Sequence, residues 1–277
     1  MPFTGEPKMN ATNSNKPDTV LITGASSGIG ATYADRLARR GHDLILVARD
    51  RQRLDAVAAR LRRETGVAVE TVIADLTQRA DLAAVETQLR GDDRIGMLIN
   101  NAGVAVSGPV LAADPDRLEA MIQLNTIAAT RLALAAAEAF VAQKSGVIVN
   151  IASVLALLPE QFNAVYSGTK AYLLNFSQSL QQEVARHGVR VQAVLPGATR
   201  TEIWERSGTP VENLPQEMVM GVDEMVDAAL AGFDQGELVT IPSLPDLKDW
   251  EAFTAARLHM APRLSLNHAA PRYKVTA

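Results

Sequence analysis

The sequence contains no cysteine, which excludes disulfide bonds, thiolate catalysis and cysteine-ligated zinc. Only four histidines occur, and they are scattered without an HxxxH pair or a neighbouring carboxylate cluster, so no metal site is expected. The net charge of −4 gives no electrostatic reason to expect nucleic acid as a partner. These absences leave chemistry carried by hydroxyl, amine and carboxylate side chains, or by a bound cofactor.

Membrane and secretory signals are also lacking. Residues 1–17 are rich in Asn, Thr, Pro and Lys without an apolar run, which is typical of a flexible tail rather than a secretory signal. The most apolar helical segment, 132–142, is short and contains Glu138, so we expect a buried helix and no membrane span. A cytoplasmic protein that does not act at a membrane is therefore expected.

Short apolar runs alternate with longer amphipathic ones, and 47% hydrophobic residues in 277 suffice for a substantial core. The runs predict strands at 19–23, 44–48, 67–73, 97–99, 147–151 and 189–195, with a possible edge strand at 238–241. Helices are predicted at 28–40, 50–64, 78–90, about 114–143, from the Tyr166 region to about 187, 222–233 and 246–260. Continuous apolar strands separated by helices predict an α/β fold, a single doubly wound parallel sheet of the Rossmann-like type with helices on both faces.

The boundaries of this predicted domain follow from the same pattern. We expect a single catalytic domain over 18–260, with a substrate loop at about 200–220, where Pro210 and Pro215 interrupt regular structure. A C-terminal tail is expected over 261–277, and no linker divides the chain.

Glycines cluster between the first predicted strand and the first predicted helix, in Thr23-Gly-Ala-Ser-Ser-Gly-Ile-Gly30. Gly24 allows the tight turn, and Gly28 and Gly30 let the backbone approach a pyrophosphate and the helix pack closely. The helix N-terminus then faces the phosphates. The spacing is GxxxGxG rather than the commoner GxGxxG, but the flanking strand and helix favour a dinucleotide site.

The end of the second strand indicates which dinucleotide binds. An acidic residue there normally holds the ribose 2′-hydroxyl of NAD, whereas this chain has Ala48 followed by Arg49. A guanidinium suits a 2′-phosphate, so NADP is favoured over NAD, which stays possible. Two alternatives remain open: Arg49 could belong to a solvated basic face with Arg51 and Arg53, and Asp50, predicted as a helix cap, could reach the ribose.

A second motif, Tyr166-Ser-Gly-Thr-Lys170, follows Ser153 after thirteen residues. Tyr166 and Lys170 are four residues apart and share one face of a helix. An ammonium beside a phenol favours the phenolate, and a tyrosine with a lowered pKa can act as a general acid or base on an alcohol or carbonyl. The motif therefore predicts a proton relay beside the dinucleotide.

With residues 23–30, 100–103, Ser153 and 166–170 in this order, the chain resembles the short-chain dehydrogenase/reductase family over about residues 18–200. The resemblance implies a catalytic triad of Ser153, Tyr166 and Lys170 and a structural asparagine at Asn125. It also implies a cofactor site formed by Gly24, Ser26, Ser27, Gly28, Ile29, Gly30, Arg49, Asp75, Leu76, Asn101, Ala102, Gly103, Tyr166, Lys170, Pro196, Gly197, Thr199 and Thr201. The family often has Ala-Ser where this chain has residues 168–169, Gly-Thr, but neither position carries a proton in the mechanism.

The function expected from these residues is hydride transfer between NADP(H) and the carbonyl or secondary alcohol of an apolar small molecule. Tyr166 would carry the proton, Ser153 would bind the reacting oxygen, and Lys170 would lower the pKa of the tyrosine and hold the nicotinamide ribose. Asn125 would anchor a water that links Lys170 to solvent. The segments 154–165 and 200–220 would wall the pocket with Leu155, Leu157, Leu158, Phe162, Ile203 and Trp204.

Two other functions are compatible with part of the pattern. An acyl-carrier-protein-linked 3-ketoacyl reductase should show a basic docking patch, but residues 201–220 contain Arg206 with four glutamates. A non-catalytic NADP-sensing protein would keep the glycines without needing the tyrosine and lysine. The resemblance also implies a homodimer or homotetramer, with the long helix and the Tyr166 helix at an interface.

Overall fold

The computed structural model describes residues 18–273. The predicted N-terminal tail at 1–17 lies outside the described residues, as do the last four residues of the predicted C-terminal tail.

The central element is a seven-stranded sheet in the order β3-β2-β1-β4-β5-β6-β7. Its strands are β1 (Thr19–Thr23), β2 (Leu44–Ala48), β3 (Val69–Ile73), β4 (Ile95–Asn100), β5 (Gly146–Ile151), β6 (Val189–Val194) and β7 (Val239–Thr240). Every neighbouring pair is parallel. The strand order reverses between β1 and β4, and ligands of such sheets bind outside the carboxyl ends of the strands at that point. The predicted doubly wound parallel sheet is confirmed.

Helices connect the strands and cover both faces of the sheet. They are α1 (Gly28–Arg39), α2 (Arg51–Thr65), α3 (Arg79–Gly91), α4 (Pro115–Ile122), α5 (Ala129–Gln143), α6 (Ala164–Val184), α7 (Ile203–Ser207), α8 (Val222–Asp234) and α9 (Leu247–Met260). A π-helical turn, Gln123–Ala128, joins α4 to α5, so the predicted long helix is continuous.

Two hydrophobic cores explain why the strands are apolar along their whole length. In β1, Val20 and Ile22 belong to the core beneath α1, α2 and α8, whereas Leu21 belongs to the core beneath α3, α5 and α6. Successive side chains of a strand point to opposite faces, so both faces here need apolar residues. All five residues of β1 are buried.

The end of α6 differs from the prediction of a helix to about residue 187. The α-helix ends at Val184 and is followed by a 3-10 turn, Ala185–His187. Gly188 then adopts a φ of +79°, a left-handed conformation that stops a helix and that glycine adopts without steric cost.

The chain divides into two compact units, Met1–Pro242 and Ser243–Ala277. The predicted domain, 18–260, spans this division, with α9 in the second unit, and its bounds stay a prediction. None of the residues of α9 is buried. Phe253 stacks on Trp250 within the helix and is still half exposed.

One helical stretch among residues 18–273, Pro115–Gln143, is by length and composition alone apolar enough to cross a membrane. It is 29 residues long and corresponds to the long helix predicted at about 114–143. Half of its most apolar window is buried in the fold, and Leu132, Ala136 and Phe140 are completely buried in the core beneath α3, α5 and α6. This is the burial pattern of a core helix.

Candidate active site

A cleft of about 1130 Å³ opens at the carboxyl ends of the central strands, where the strand order reverses. Every site residue predicted from the sequence lines this cleft except Gly30 and Asn125. Of the predicted apolar wall, Leu155, Leu158, Phe162, Ile203 and Trp204 line it, whereas Leu157 does not.

The glycine turn has the backbone and the space that only glycine allows. Gly24 has a φ of +66° and Gly28 a φ of +53°. A Cβ added at Gly24 would lie 2.8 Å from Asn101 Nδ2, and one added at Gly30 would lie 2.4 Å from the Gly24 carbonyl oxygen. Gly24 therefore shapes the turn, while Gly30 lets α1 pack against the back of the turn instead of lining the cleft.

The loop after β4 is fastened to the end of β1 by a threonine that the sequence analysis did not single out. Thr23 Oγ1 accepts hydrogen bonds from the backbone N–H groups of Asn101 at 3.0 Å and Ala102 at 2.9 Å. Asn101 Nδ2 donates to the Thr23 carbonyl at 2.8 Å. A polar residue at the end of an otherwise apolar strand was the available signal for this contact.

Arg49 and Asp75, which the sequence analysis expects at the adenosine, lie together at one end of the cleft. Arg49 Nη1 lies 3.7 Å from Asp75 Oδ2, and the arginine side chain is 64% exposed. Burial alone would raise the pKa of Asp75, but hydrogen bonds from Thr77 and the nearby Arg49 hold it below its usual value. Asp50 Oδ1 accepts from the Arg53 backbone N–H at 3.0 Å, so the predicted helix cap is confirmed.

The segment after β6 crosses the mouth of the cleft and is tethered on both sides. On the α2 side, Glu202 Oε2 accepts from Arg53 Nη1 at 2.5 Å. On the other side, Ser207 hydrogen-bonds Ser107 between their Oγ atoms at 2.8 Å. A Cβ on Gly28 would lie 3.2 Å from the Thr201 methyl group, so this segment also closes over the glycine turn.

The predicted triad comes together at the centre of the cleft, with all three side chains buried. Ser153 follows β5, and Tyr166 and Lys170 lie one turn apart on α6, whose N-terminus is capped by Asn163. The Tyr166 hydroxyl is hydrogen-bonded with Ser153. Lys170 Nζ donates to the Ile151 carbonyl at 2.8 Å and lies 5.7 Å from the centroid of the Tyr166 ring.

The pKa values of this group differ from the expectation that the lysine lowers the pKa of the tyrosine. Burial raises the pKa of Tyr166 to about 12, and the hydrogen bond with Ser153 opposes this only in part. Burial lowers the pKa of Lys170 to about 8. The ammonium points at the Ile151 carbonyl and lies over the tyrosine ring, so it does not offset the burial of the hydroxyl. At neutral pH the site therefore holds a neutral phenol beside a charged lysine.

Asn125 lies in the π-helical turn and connects the loop after β4 to α6. Its Oδ1 accepts from the Val104 N–H at 3.0 Å, and its Nδ2 donates to the Val104 carbonyl at 2.9 Å and to Thr169 Oγ1 at 3.2 Å. Both amide hydrogens are thus used by the protein, and only one lone pair of Oδ1 is left to hold the predicted water. Thr169, which stands where the family often has serine, also donates to the Tyr166 carbonyl at 2.7 Å.

Aromatic rings form one wall of the remaining half of the cleft. The Phe162 ring meets the Tyr166 ring edge to face, with centroids 5.4 Å apart, and the Trp204 ring at 6.4 Å. Trp204 Nε1 donates to the Thr199 carbonyl at 2.9 Å, which fixes the indole. Leu214 and Met218, from the predicted segment 200–220, also line the cleft, and further wall residues that the sequence analysis missed are Val104, Val106, Leu124 and the charged Arg117.

The short chain dehydrogenase family matches residues 18–212, and the chain therefore belongs to this family of oxidoreductases. A short-chain dehydrogenase from Sphingobium yanoikuyae, solved in complex with NADPH, is 58% identical with a TM-score of 0.91 over 93% of this chain and 100% of that chain. The bulky-bulky ketone specific alcohol dehydrogenase from Comamonas testosteroni is 49% identical, with a TM-score of 0.86 over 94% of this chain and 99% of that chain. A very-long-chain 3-oxoacyl-CoA reductase of Podospora anserina is 33% identical over 78% of this chain and 64% of its own length.

Proposed function

We propose that the protein transfers a hydride reversibly between NADP(H) and the carbonyl or secondary alcohol of a bulky, apolar small molecule. The observation that carries this proposal is the buried group of Ser153, Tyr166 and Lys170, which faces the same cleft as the glycine turn. A protein that only senses NADP would need the turn but not a hydroxyl and an amine at its centre. The relatives with dehydrogenase and reductase activities support the catalytic alternative.

The residues present fit a dinucleotide. The N-cap of α1, Ser27, makes no side-chain hydrogen bond to the first turn, so the N–H groups at this helix start have no capping side chain. Such a helix start attracts phosphate, and Ser26, Ser27 and Gly28 at this helix start line the cleft. We assign the phosphates to this turn, the ribose 2′-phosphate to Arg49 and the nicotinamide end to the region of Gly103, Pro196 and Gly197.

The bound nicotinamide would supply or accept the hydride, and the chain's own residues would manage the proton and the oxygen. Tyr166 holds its proton at Oη at neutral pH and can give it to a carbonyl oxygen. Ser153 lies within hydrogen-bonding reach of that hydroxyl and would orient the same oxygen. Lys170 uses one N–H on Ile151, which leaves two donors for ribose hydroxyls. Tyr166→Phe should keep NADPH binding and lose nearly all turnover, and a variant with wild-type turnover would refute the assignment.

The choice of NADP over NAD is tested by fluorescence titration with NADPH and, separately, NADH. Arg49→Ala would remove the hydrogen bonds to the charged 2′-phosphate and the binding free energy that they contribute. NADPH binding should therefore weaken roughly ten- to hundredfold. NADH binding should change little. Arg51→Ala, which removes a neighbouring arginine outside the cleft, is the matched control. Equal binding of both dinucleotides by the wild type would instead assign the ribose to Asp75 or Asp50.

For the substrate, the apolar wall supports a ketone with large substituents, as in the name of the Comamonas relative. The second candidate is a 3-oxoacyl thioester, which the very-long-chain 3-oxoacyl-CoA reductases among the relatives favour. NADPH oxidation with a bulky aryl ketone, a 3-oxoacyl-CoA and a carrier-protein-bound 3-oxoacyl chain separates these substrates. Faster turnover of either thioester would make the second candidate the better one.

The proposal also includes the oligomeric state of the protein and its location in the cell. Ile122, Ile127 and Leu134 on the long helix and Tyr172 on α6 are large apolar side chains with 42 to 45% exposure. These exposed side chains support a homodimer or homotetramer that uses both helices, and light scattering of the purified protein measures its size. We also propose a cytoplasmic location, because the apolar helical stretch contributes to the core.

A further inference from the structure

We propose that the substrate carries a carboxylate at the end remote from its carbonyl and that Arg117 binds this carboxylate. The inference rests on the proposed ketone reduction and adds the chemical class of the substrate.

Seven charged residues line the cleft, namely Arg49, Asp50, Asp75, Arg117, Lys170, Glu202 and Arg206. Six of them have partners within the protein. Arg49 pairs with Asp75, Asp50 caps α2, Lys170 donates to a carbonyl, and Arg206 Nη2 donates to Glu202 at 2.6 Å. Within residues 18–273, Arg117 has no side-chain hydrogen bond or ion pair. Its guanidinium is the charge of the cleft that is left for a ligand.

The position of Arg117 on α4 directs it to the substrate half of the cleft. Arg117, Ala120 and Leu124 all line the cleft, and their i, i+3, i+7 spacing places them on one helix face. Met121, on the adjoining edge of that face, packs with Val106 and the Tyr166 ring. This face of the helix therefore lines the substrate pocket.

The distance to the reacting centre follows from the helix. Leu124 is next to Asn125, whose Oδ1 would lie 3.1 Å from a Cβ on Gly103, and the same Cβ would be 3.7 Å from Lys170 Nζ. Leu124 thus marks the level of the catalytic group. Arg117 precedes it by seven residues, which at 1.5 Å per residue is about 10 Å along the helix.

The walls beside this helix face are apolar, because Leu155 and Phe162 line the cleft and pack against the cluster of Val106, Met121 and Tyr166. A ligand that fills this space needs an apolar body, and a single anionic group at its far end would meet the unpaired guanidinium. Arginine binds a carboxylate through two parallel hydrogen bonds, and Arg117 is exposed, so its guanidinium is open to such a ligand. A keto acid with an apolar spacer of about 10 Å matches both features.

The probes are 9-oxodecanoate and its methyl ester, which differ in the charge and size of the end group. Extended chains advance about 3.5 Å per three bonds, so the eight bonds from carbonyl to carboxyl carbon cover about 9 Å. We expect Arg117→Gln to lower the ratio of kcat/KM for the acid to that for the ester roughly ten- to hundredfold, mainly through KM. Arg117→Lys should restore part of it. Arg79→Gln, which changes an exposed arginine outside the cleft, should leave the ratio at its wild-type value.

The short keto acid 4-oxopentanoate serves as a length control, and its kcat/KM should not depend on Arg117. An acid-to-ester ratio that is the same in the wild type and Arg117→Gln would overturn the proposal and make Arg117 a solvated arginine at the rim. Isothermal titration of 9-oxodecanoate into the NADPH-loaded variants reads the same contact without turnover. Binding that depends on Arg117, together with no reduction of this acid or of any ketone or thioester in the screen above, would overturn the proposed function and leave the carboxylate site supported, whereas binding independent of Arg117 would overturn the site alone.

Discussion

Replacing Lys170 by methionine should stabilise the folded protein at neutral pH while it removes turnover. The lysine is buried, and burial lowers its pKa from the ordinary 10.5 to about 8. The shift means that the folded state disfavours the charged ammonium, because a low-dielectric surrounding solvates it less well than water. Methionine has a similar length and no charge, so it avoids this cost.

The magnitude follows from the two pKa values. Below pH 8 the lysine is charged in the folded and unfolded states, and folding bears the full cost of burying the charge. Between pH 8 and 10.5 the folded state releases the proton while the unfolded state keeps it, so the free energy of unfolding rises with pH. At about 1.36 kcal/mol per pKa unit, the wild type should gain roughly 2.5 kcal/mol from this group between pH 7 and pH 10.

Urea unfolding of the wild type and Lys170→Met at pH 7 and pH 10 measures this gain. Tyr33 and Tyr166 also titrate abnormally, since burial raises both pKa values and stability then falls above about pH 10. These tyrosines are present in both proteins, so their contributions cancel in the difference between the two. Lys170→Met also loses the hydrogen bond to the Ile151 carbonyl, which reduces its advantage in the free energy of unfolding at pH 7. This loss does not alter how much that advantage decreases between pH 7 and pH 10. A difference that is the same at both pH values would refute the view that the ammonium is poorly solvated.

Two further substitutions probe the cofactor half of the cleft. Gly30→Ala places a Cβ 2.4 Å from the Gly24 carbonyl oxygen, so Tm and NADPH affinity should both fall. The control is Gly91→Ala, which has nothing within 4 Å of the added carbon and should leave NADPH affinity as it is. Unchanged NADPH affinity in Gly30→Ala would contradict the packing role of Gly30. Glu202→Gln removes the half-exposed ion pair with Arg53, which contributes up to about 1 kcal/mol, so stopped-flow NADPH dissociation should become a few times faster and less dependent on salt. Glu217→Gln, an exposed residue outside the cleft, is its control, and an equal effect of both changes would show that the ion pair does not hold the segment closed.

Much of the fold could be predicted from the sequence because its signals are local. Strands such as Leu44–Ala48 are apolar throughout, which requires helices on both faces, and left-handed glycines such as Gly24 mark the turns. The cofactor and catalytic motifs are local as well, since Tyr166 and Lys170 must share a helix face wherever that helix lies. The position of each motif at a strand end was enough to bring nearly all predicted site residues into one cleft.

The features that could not be predicted depend on contacts between distant parts of the chain. The partners of Asn125 are Val104 and Thr169, 21 and 44 residues away, and no spacing rule selects them. Arg117 is one of many arginines in the sequence, and only the packing of α4 turns it to the cleft. The sequence predicts α9 from ordinary helix-forming residues, and its lack of burial becomes visible only in three dimensions.

The pKa of Tyr166 is the clearest example, because sequence spacing gave the wrong direction. A spacing of four residues from tyrosine to lysine establishes proximity but not which atom the ammonium faces, and here it faces the Ile151 carbonyl. Burial then decides both pKa values, which leaves a proton on the phenol and a charge on the lysine at neutral pH. If Tyr166 carries the proton as proposed, these are the states that carbonyl reduction requires, while alcohol oxidation must first form a phenolate that burial opposes. The chain's own residues therefore favour reduction at neutral pH, and oxidation should gain on it as the pH rises.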